Sequence, residues 1–448
     1  MSDSTQQQNL TEKVYGYLAE DEDARVCKDI PDAACNDQPK AFIAHLLALS
    51  MTKLGDSLVS ARLVLPWILS SLGAPSAFIS ALVPLRESLA LLPQLIIAQQ
   101  LRETPIRKWF WVAGSLGQSL ALVGMLFSVL ALRDAALGWA IVILLTVFST
   151  ARGVCSVAIK DVQGKTISKT RRGRLSGIAA SVAGLLSVLT ALVVIFAPQF
   201  LGQAASEGNV LIFTGLLGFA AILWFAAAVT YAQVPEVPGA TEGGGNAMIE
   251  ALKSLRLLWQ DKQFGSFVLT RALLVSSAFA IPYIVVMIQR SGEGSLTSLG
   301  GMMLANGIAG MLAGRFWGKW SDSASHHVMA AAAFMAVAVM AGALLCFTMS
   351  DDLLAQQWLA GLLIFLAAVA HQGARVGRKT YLVDMATQEN RAQFTAVSNT
   401  VIGLVLLLGI LLGVVDSFAG VEMVMVVLIV LGLIAGFRAL TLPNVQQD

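Results

Sequence analysis

Apolar residues run along this chain in blocks too long for the core of a soluble domain, separated by short polar breaks. A bilayer core of ~30 Å takes about 20 apolar residues per helix. Runs of that length predict twelve membrane-spanning helices. The first six cover about 41–71, 75–101, 109–132, 137–160, 175–199 and 210–232. The second six cover about 263–289, 297–317, 327–349, 355–379, 393–415 and 421–440. Turn formers such as Gly73-Ala74-Pro75 and Ser291-Gly292-Glu293-Gly294 punctuate them. The predicted fold class is therefore all-α and integral to a membrane.

The polar remainder divides the chain further. Residues 1–40 form an acidic tail, expected to be a disordered arm on which Val14, Tyr15, Tyr17 and Leu18 offer docking side chains. Residues 41–232 form one six-helix bundle and 263–440 a second, with 441–448 as a short tail. The stretch 233–262 reads as a linker, from Pro235, Pro238 and Gly243-Gly244-Gly245. Within it Asn246 is placed to cap a short helix with Met248, Leu252, Leu255 and Trp259 on one face, suited to lie along the membrane surface.

Composition narrows the function classes. Of 448 residues, 56% are apolar and 13% charged, against roughly 25% charged in soluble domains. That excludes nucleic-acid binders, disulfide scaffolds and most soluble enzymes. Cys27, Cys35, Cys155 and Cys346 are scattered without a CxxC pair, so no disulfide framework is expected. The net charge of +2 matters less than its placement. Alternate loops collect Arg102, Arg107 and Lys108, then Lys160, Lys165, Lys169, Arg171, Arg172 and Arg174, then Lys253, Arg256 and Lys262, then Arg315 and Lys319, then Arg378, Lys379 and Arg391. The intervening loops hold only Arg133 and Arg290. Basic loops stay on the cytoplasmic side, which puts both termini there and fits a bacterial inner membrane.

The two halves repeat. Pro66-Trp67-Ile68-Leu69 matches Pro282-Tyr283-Ile284-Val285 at an offset of 216, while Lys160 and Lys379, Arg172 and Arg391, and Arg152 and His371 pair at 219. Two six-span units that both begin on the same side are parallel repeats about an axis along the membrane normal.

Gly318-Lys319-Trp320-Ser321-Asp322, followed by His326 and His327, resembles the Gly-x-x-x-Asp motif, with its trailing basic pair, of the major facilitator superfamily of secondary transporters. The counterpart in the first half keeps Arg107-Lys108 but has Ala98 and Arg102 where the motif has Gly and Asp. Arg172, Arg391 and Tyr381 resemble the family's polar pattern flanking spans 5 and 11. The resemblance covers about 41–440. It implies the two-bundle fold, alternating access with the solute at the midplane, and gating roles for Gly318, Asp322, Arg107, Lys108, Arg172 and Arg391. The drug antiporters' span-5 signature is absent: after Gly177 and Gly184 the only proline is Pro198.

Ionisable residues inside a membrane are costly and mark function. Here they are Lys53, Asp56 and Arg62 in span 1, Arg86 and Glu87 in span 2, Arg152 in span 4, Arg271 in span 7, and His371 and Arg375 in span 10. Six fixed cations against two carboxylates favour a water-filled cavity visited by an anion. Arg86, about 17 Å into its span, and Arg152 have no evident counter-charge. They lead the candidate solute-binding set, with Arg271, His371 and Arg375. Structural readings compete for the rest. Lys53 and Asp56, three apart on a helix, suit mutual neutralisation, Arg62 and Arg271 suit snorkelling to headgroups, and Arg375 suits a cytoplasmic gate. Gly310, Gly314 and Gly318 read as a packing stripe. Glu87, about 18 Å deep, is the expected proton carrier, with Asp56 and Lys53 beside it in the coupling set.

No catalytic motif or nucleotide loop is present, so no enzyme, cofactor or metal is expected. The reading is a monomeric, proton-coupled secondary transporter for a small anionic organic solute. The alternatives are an efflux pump for an amphipathic or cationic compound and a non-transporting membrane assembly or sensor protein on the same fold.

Overall fold

A computed structural model describes residues 12, 14–16, 30, 32–92, 97, 100–101, 103–201, 205–239, 241, 254–292, 295–387 and 390–446. Among them the chain is helical throughout. In the first half α1 is Asp32–Leu58, α2 Val64–Ser71, α3 Ser76–Leu91, α4 Lys108–Ala131, α5 Asp134–Thr166, α6 Lys169–Leu201 and α7 Ala205–Ala232. In the second, α8 is Leu257–Gln260, α9 Lys262–Leu273, α10 Ser276–Ser291, α11 Leu296–Met349, α12 Asp351–Ala355, α13 Gln357–Met385, α14 Arg391–Leu408 and α15 Leu411–Leu440.

Among the described residues, eight helical stretches are long and apolar enough to cross a membrane. Two of them hold two spans each. The backbone of α11 leaves helical geometry at Ala324, and α15 breaks at Gly420 with φ +80°, a left-handed conformation that glycine adopts without strain. Spans 1 and 2 complete the twelve, and both carry intramembrane charges. Span 1 divides into α1 and α2 around Val59–Leu63, where Leu65 N–H reaches back to the Ser60 carbonyl (3.0 Å). Pro66 follows in the first turn of α2, where a missing N–H costs nothing. Span 7 divides at the equivalent place into α9 and α10, so the repeat extends to the helix breaks. Span 11 divides between α14 and α15, where Phe279 approaches so closely that a Cβ on Gly409 would lie 2.2 Å from its ring.

Within the first half, α4 packs on α5 and α7, α1 on α6 and α7, and α3 on α5. In the second, α11 packs on α13 and α15, and α9 on α14 and α15. The halves meet through α6 with α11, α3 with α14 and α15, and α2 with α10. Exchanging the halves maps these span contacts (5 with 8, 2 with 11, 1 with 7) onto themselves, as a parallel repeat requires.

The apolar core shows where the halves join. One cluster runs through both, from Val64, Trp67 and Leu82 to Tyr283, Ile284 and Met302. It lies at the end away from the basic loops, where Gln289 Nε2 donates to the Trp67 carbonyl (3.0 Å) and Ser80 Oγ meets the Tyr283 hydroxyl (2.7 Å). At the basic-loop end the cores separate. Phe264, Met329 and Tyr381 form one in the second half, and Trp111, Val162 and Tyr231 another in the first. Large apolar residues such as Leu120, Val193, Phe418 and Phe437 are exposed on the outside. An apolar exterior on helices of this length is the surface of an integral, multi-pass membrane protein.

Several segments differ from expectation. The helix of span 1 starts at Asp32, inside the expected tail. Tyr15 is buried and stacks edge-on against Phe42 (5.4 Å) while Gln38 Nε2 donates to its hydroxyl (2.8 Å). An aromatic ring with a satisfied hydroxyl gains enough by burial to dock an otherwise polar arm. Tyr17 and Leu18 lie outside the described residues. Cys35 is disulfide-bonded, although no cysteine pairing is expected from the absence of a CxxC motif; more widely spaced cysteines can still be brought together by the fold. Most of the expected linker helix, including Asn246, Met248 and Leu252, also lies outside the described residues. Trp259 is exposed, and Asp261 caps α9 by accepting from Phe264 N–H (2.9 Å).

Candidate functional site

Between the halves, reaching toward the basic-loop end, is a cavity of about 1090 Å³. Spans 1, 2, 4, 5, 7, 8 and 10 line it. The last turns of α1 supply Lys53, Asp56 and Ser57, and the break after it supplies Ser60 and Arg62. From α3 come Arg86 and Glu87, from α5 Arg152 and Ser156, from α11 Asn306 and Arg315, and from α13 His371, Arg375 and Arg378. Seven basic side chains thus share the wall with two carboxylates.

The carboxylates are already engaged. Asp56 accepts from Arg86 through Oδ1 (2.6 Å) and contacts Arg152 through Oδ2 (2.5 Å). A carboxylate with two oxygens holds two guanidinium groups in this way without protonation. Arg86 also lies over the Phe148 ring (4.7 Å) and Arg152 over Trp224 (5.3 Å), so aromatic faces fix both arginines from behind. The expectation that Arg86 and Arg152 lack counter-charges is corrected, and so is the Lys53–Asp56 pair. Partners on other helices outcompete the neighbour one turn away because two arginines converge on Asp56 from spans 2 and 4. Arg62 does not snorkel outward. The break in span 1 turns it into the cavity, where it donates to Glu87 Oε1 (2.6 Å).

The second-half groups are placed differently. Arg271 is buried and donates to Ser398 Oγ (2.6 Å) and Asn399 Oδ1 (2.9 Å) instead of snorkelling. A smaller cavity of about 100 Å³, adjoining the first, is lined by Arg271, Arg375, Arg378 and His371 on one side and by Arg62 and Glu87 on the other. His371 is buried, and neither ring nitrogen has a partner among the described residues. Arg315 and Arg378, read from the sequence as loop residues, lie on helices. The signal that finds Arg378 is its spacing of three from Arg375, which puts both on one face of a longer helix. No group of three or more His, Cys, Asp or Glu is placed to hold a metal among the described residues.

The expected gating residues fall into two kinds. Arg107 pairs with Asp161, and Lys108 Nζ donates to the carbonyls of Ala232 (2.9 Å) and Val234 (2.8 Å). Glu236, unnoticed in the sequence, organises this corner. Its fully buried carboxylate contacts Lys165 (2.5 Å) and accepts from the backbone N–H of Arg107 (2.9 Å) and Lys108 (2.7 Å), capping α4. Arg172 donates to the carbonyls of Ile167 and Gly164 (2.9 Å each). Asp322, in contrast, is exposed and has no ion pair among the described residues. Arg391 opens α14, and its side chain lies outside the described residues. The glycine stripe is not packed. A Cβ on Gly310, Gly314 or Gly318 would meet nothing within 4 Å, and Gly310 lines the large cavity.

No protein-family model and no curated protein sequence matches this chain. Solved structures do. The chain is similar to the nucleoside transporter NupG, with TM-score 0.68 at 13% identity over 89% of this chain and 99% of that one. A D-xylose-proton symporter matches with TM-score 0.65 at 14% identity, covering 91% and 99%. A POT family transporter in complex with 5-aminolevulinic acid matches with TM-score 0.64 at 11% identity, covering 89% and 94%. The chain has the fold of these transporters, the major facilitator fold, with a basic cavity where its two halves meet.

Proposed function

We propose that this chain is a secondary transporter that carries a small anionic organic solute across the membrane by alternating access, coupled to protons. One observation carries the reading: seven basic side chains and two carboxylates line a single cavity, sealed at one end, between the halves of this fold. Such a surplus of positive charge in a site of reduced dielectric attracts an anion strongly. A cationic solute has no anchor there, because both carboxylates are held by arginines. The structural neighbours, one named a nucleoside transporter and another a D-xylose-proton symporter, support transport as the use of the fold.

The proton step follows from competition. Arg62 is held by one carboxylate, and the Glu87 side chain is 39% exposed against 23% for Asp56. An anionic solute that takes Arg62 releases Glu87, and the freed carboxylate accepts a proton from water in the cavity. Solute and proton then load together, and neutralising the walls lets the halves close. Asp56, shared by Arg86 and Arg152, keeps the first half assembled. The basic loops support a cytoplasmic placement of both termini in a bacterial inner membrane, with the cavity open to the cytoplasm and each monomer acting alone.

The test is reconstitution into liposomes with an imposed pH gradient and a panel of labelled organic anions. Uptake that depends on the gradient and is lost in Arg86→Gln and Arg152→Gln supports the assignment. Counterflow of no anion, with cations carried instead, overturns it.

A further inference from the structure

The anion reading leaves open why the basic side chains stand in two groups, one on each half. In the first group, Arg86 and Arg152 share the single carboxylate of Asp56, so one positive charge is left over. In the second, Arg271, Arg375 and Arg378 surround the small cavity of about 100 Å³, and none has an ion pair among the described residues. Asp56, Arg86 and Arg152 line only the large cavity, and Arg271 only the small one. The Arg62–Glu87 pair, His371, Arg375 and Arg378 line both, so they stand between the Asp56 cluster and Arg271.

Two buried side chains show that the small cavity is built for an occupant. His371 is 5% exposed, and neither Nδ1 nor Nε2 has a hydrogen-bond partner among the described residues. Arg271 is 8% exposed; its terminal nitrogens donate to uncharged Ser398 and Asn399, and its Nε is unpartnered. Buried polar groups without partners are costly, and charged ones more so. Water answers the hydrogen bonds but not the three uncompensated cations. A carboxylate or phosphate group answers both, accepting from the arginines and from the ring N–H of His371.

We propose that the small cavity is a second anion subsite, and that the solute is a small organic dianion. One anionic group sits among Arg271, Arg378 and His371, while the other meets the Arg86–Asp56–Arg152 cluster across the large cavity. This rests on reading the large cavity as an anion site. A dicarboxylate or a phosphonocarboxylate has the required chemistry. A monoanion neutralises only one group, and the other half keeps its surplus charge.

The experiment is calorimetric binding to the purified full chain, with dicarboxylates from malonate to adipate and phosphonoacetate, each against the monoanion of matched length. The expected result is a dianion bound at least about tenfold more tightly than its matched monoanion. That advantage is lost in Arg271→Gln and in Arg378→Gln, so that each variant binds the dianion no more tightly than the matched monoanion. Arg378, with no bond to its neighbours among the described residues, keeps the test valid if Arg271→Gln fails to fold. If no dianion outbinds its monoanion, or Arg378→Gln retains the advantage, the second subsite is wrong and the large-cavity reading stands. If neither class binds and Arg86→Gln changes nothing, the anion reading itself falls.

Discussion

The two halves share a fold but not a way of holding charge. Every cavity arginine of the first half is paired: Arg62 with Glu87, and Arg86 and Arg152 with Asp56. Those of the second half, Arg315, Arg375 and Arg378 with Arg271 in the adjoining recess, have no ion pair among the described residues. Removing a carboxylate from the first half therefore strands charge. The second half is incomplete, and its electrostatic partner has to arrive from outside. A repeated fold has divided into a bundle whose cavity arginines are ion-paired within it and one whose arginines are not.

The harshest test of that division is Asp56→Asn, which leaves Arg86 and Arg152 facing each other without their shared carboxylate. Stranding buried charge costs 3–5 kcal/mol, and the partial exposure of these side chains places the loss near the lower end, about 3 kcal/mol. A fall in Tm of the purified protein is the readout, and the same drop is not expected for Arg378→Gln. Equal destabilisation by the two variants would break the comparison. Arg378→Gln should act on affinity instead, weakening binding of the proposed anionic solute by about 1.5–3 kcal/mol, the scale of a hydrogen bond to a charged group. Titration calorimetry on the folded variant measures it.

The sequence shows the twelve spans, the basic loops and the repeat, because run length and charge bias are local properties. Their cavity partners are not local. Lys53 lies one turn from Asp56 and looks like its natural counter-ion, yet Arg86 reaches Asp56 from 30 residues away. Position along a helix gives depth but not which neighbouring helix a side chain faces. Arg378 escaped for a related reason. It sits at the expected end of span 10 and reads as part of the basic loop, but the helix runs on to Met385 and keeps it on the cavity wall. Glu236 follows the last span of its half in what reads as an ordinary linker. Only the fold brings it under the start of α4.

A middle-sized effect separates the two carboxylates. Glu87→Gln removes the proposed proton acceptor and frees Arg62, so pH-driven accumulation in liposomes should vanish while solute counterflow continues. Because Glu87 holds one arginine and Asp56 two, the stability loss in Glu87→Gln should be smaller than in Asp56→Asn. Retained accumulation in Glu87→Gln would move the proton step to another group and remove the competition at Arg62.

The smallest effect belongs to Asp322, and it probes the same asymmetry at the basic-loop end. In the first half that end is locked by Glu236, whose buried carboxylate joins Lys165 and the backbone of Arg107 and Lys108. In the second half Asp322 is exposed and unpaired among the described residues, and the Gly310, Gly314 and Gly318 stripe faces open space. When the halves close at this end, a helix can approach along the bare stripe, and Asp322 comes within reach of its terminus. An ion pair or cap formed only in that state is worth at most about 1 kcal/mol at an exposed position. Asp322→Asn should therefore leave Tm and anion affinity unchanged while shifting the population toward the state open at the basic loops, by no more than about fivefold. Labelling of single cysteines placed in the large cavity, read from both sides of a vesicle, reports that ratio. An unchanged ratio would leave Glu236 as the stronger candidate for control of this end, with the first half setting the conformational balance as well as its own charge.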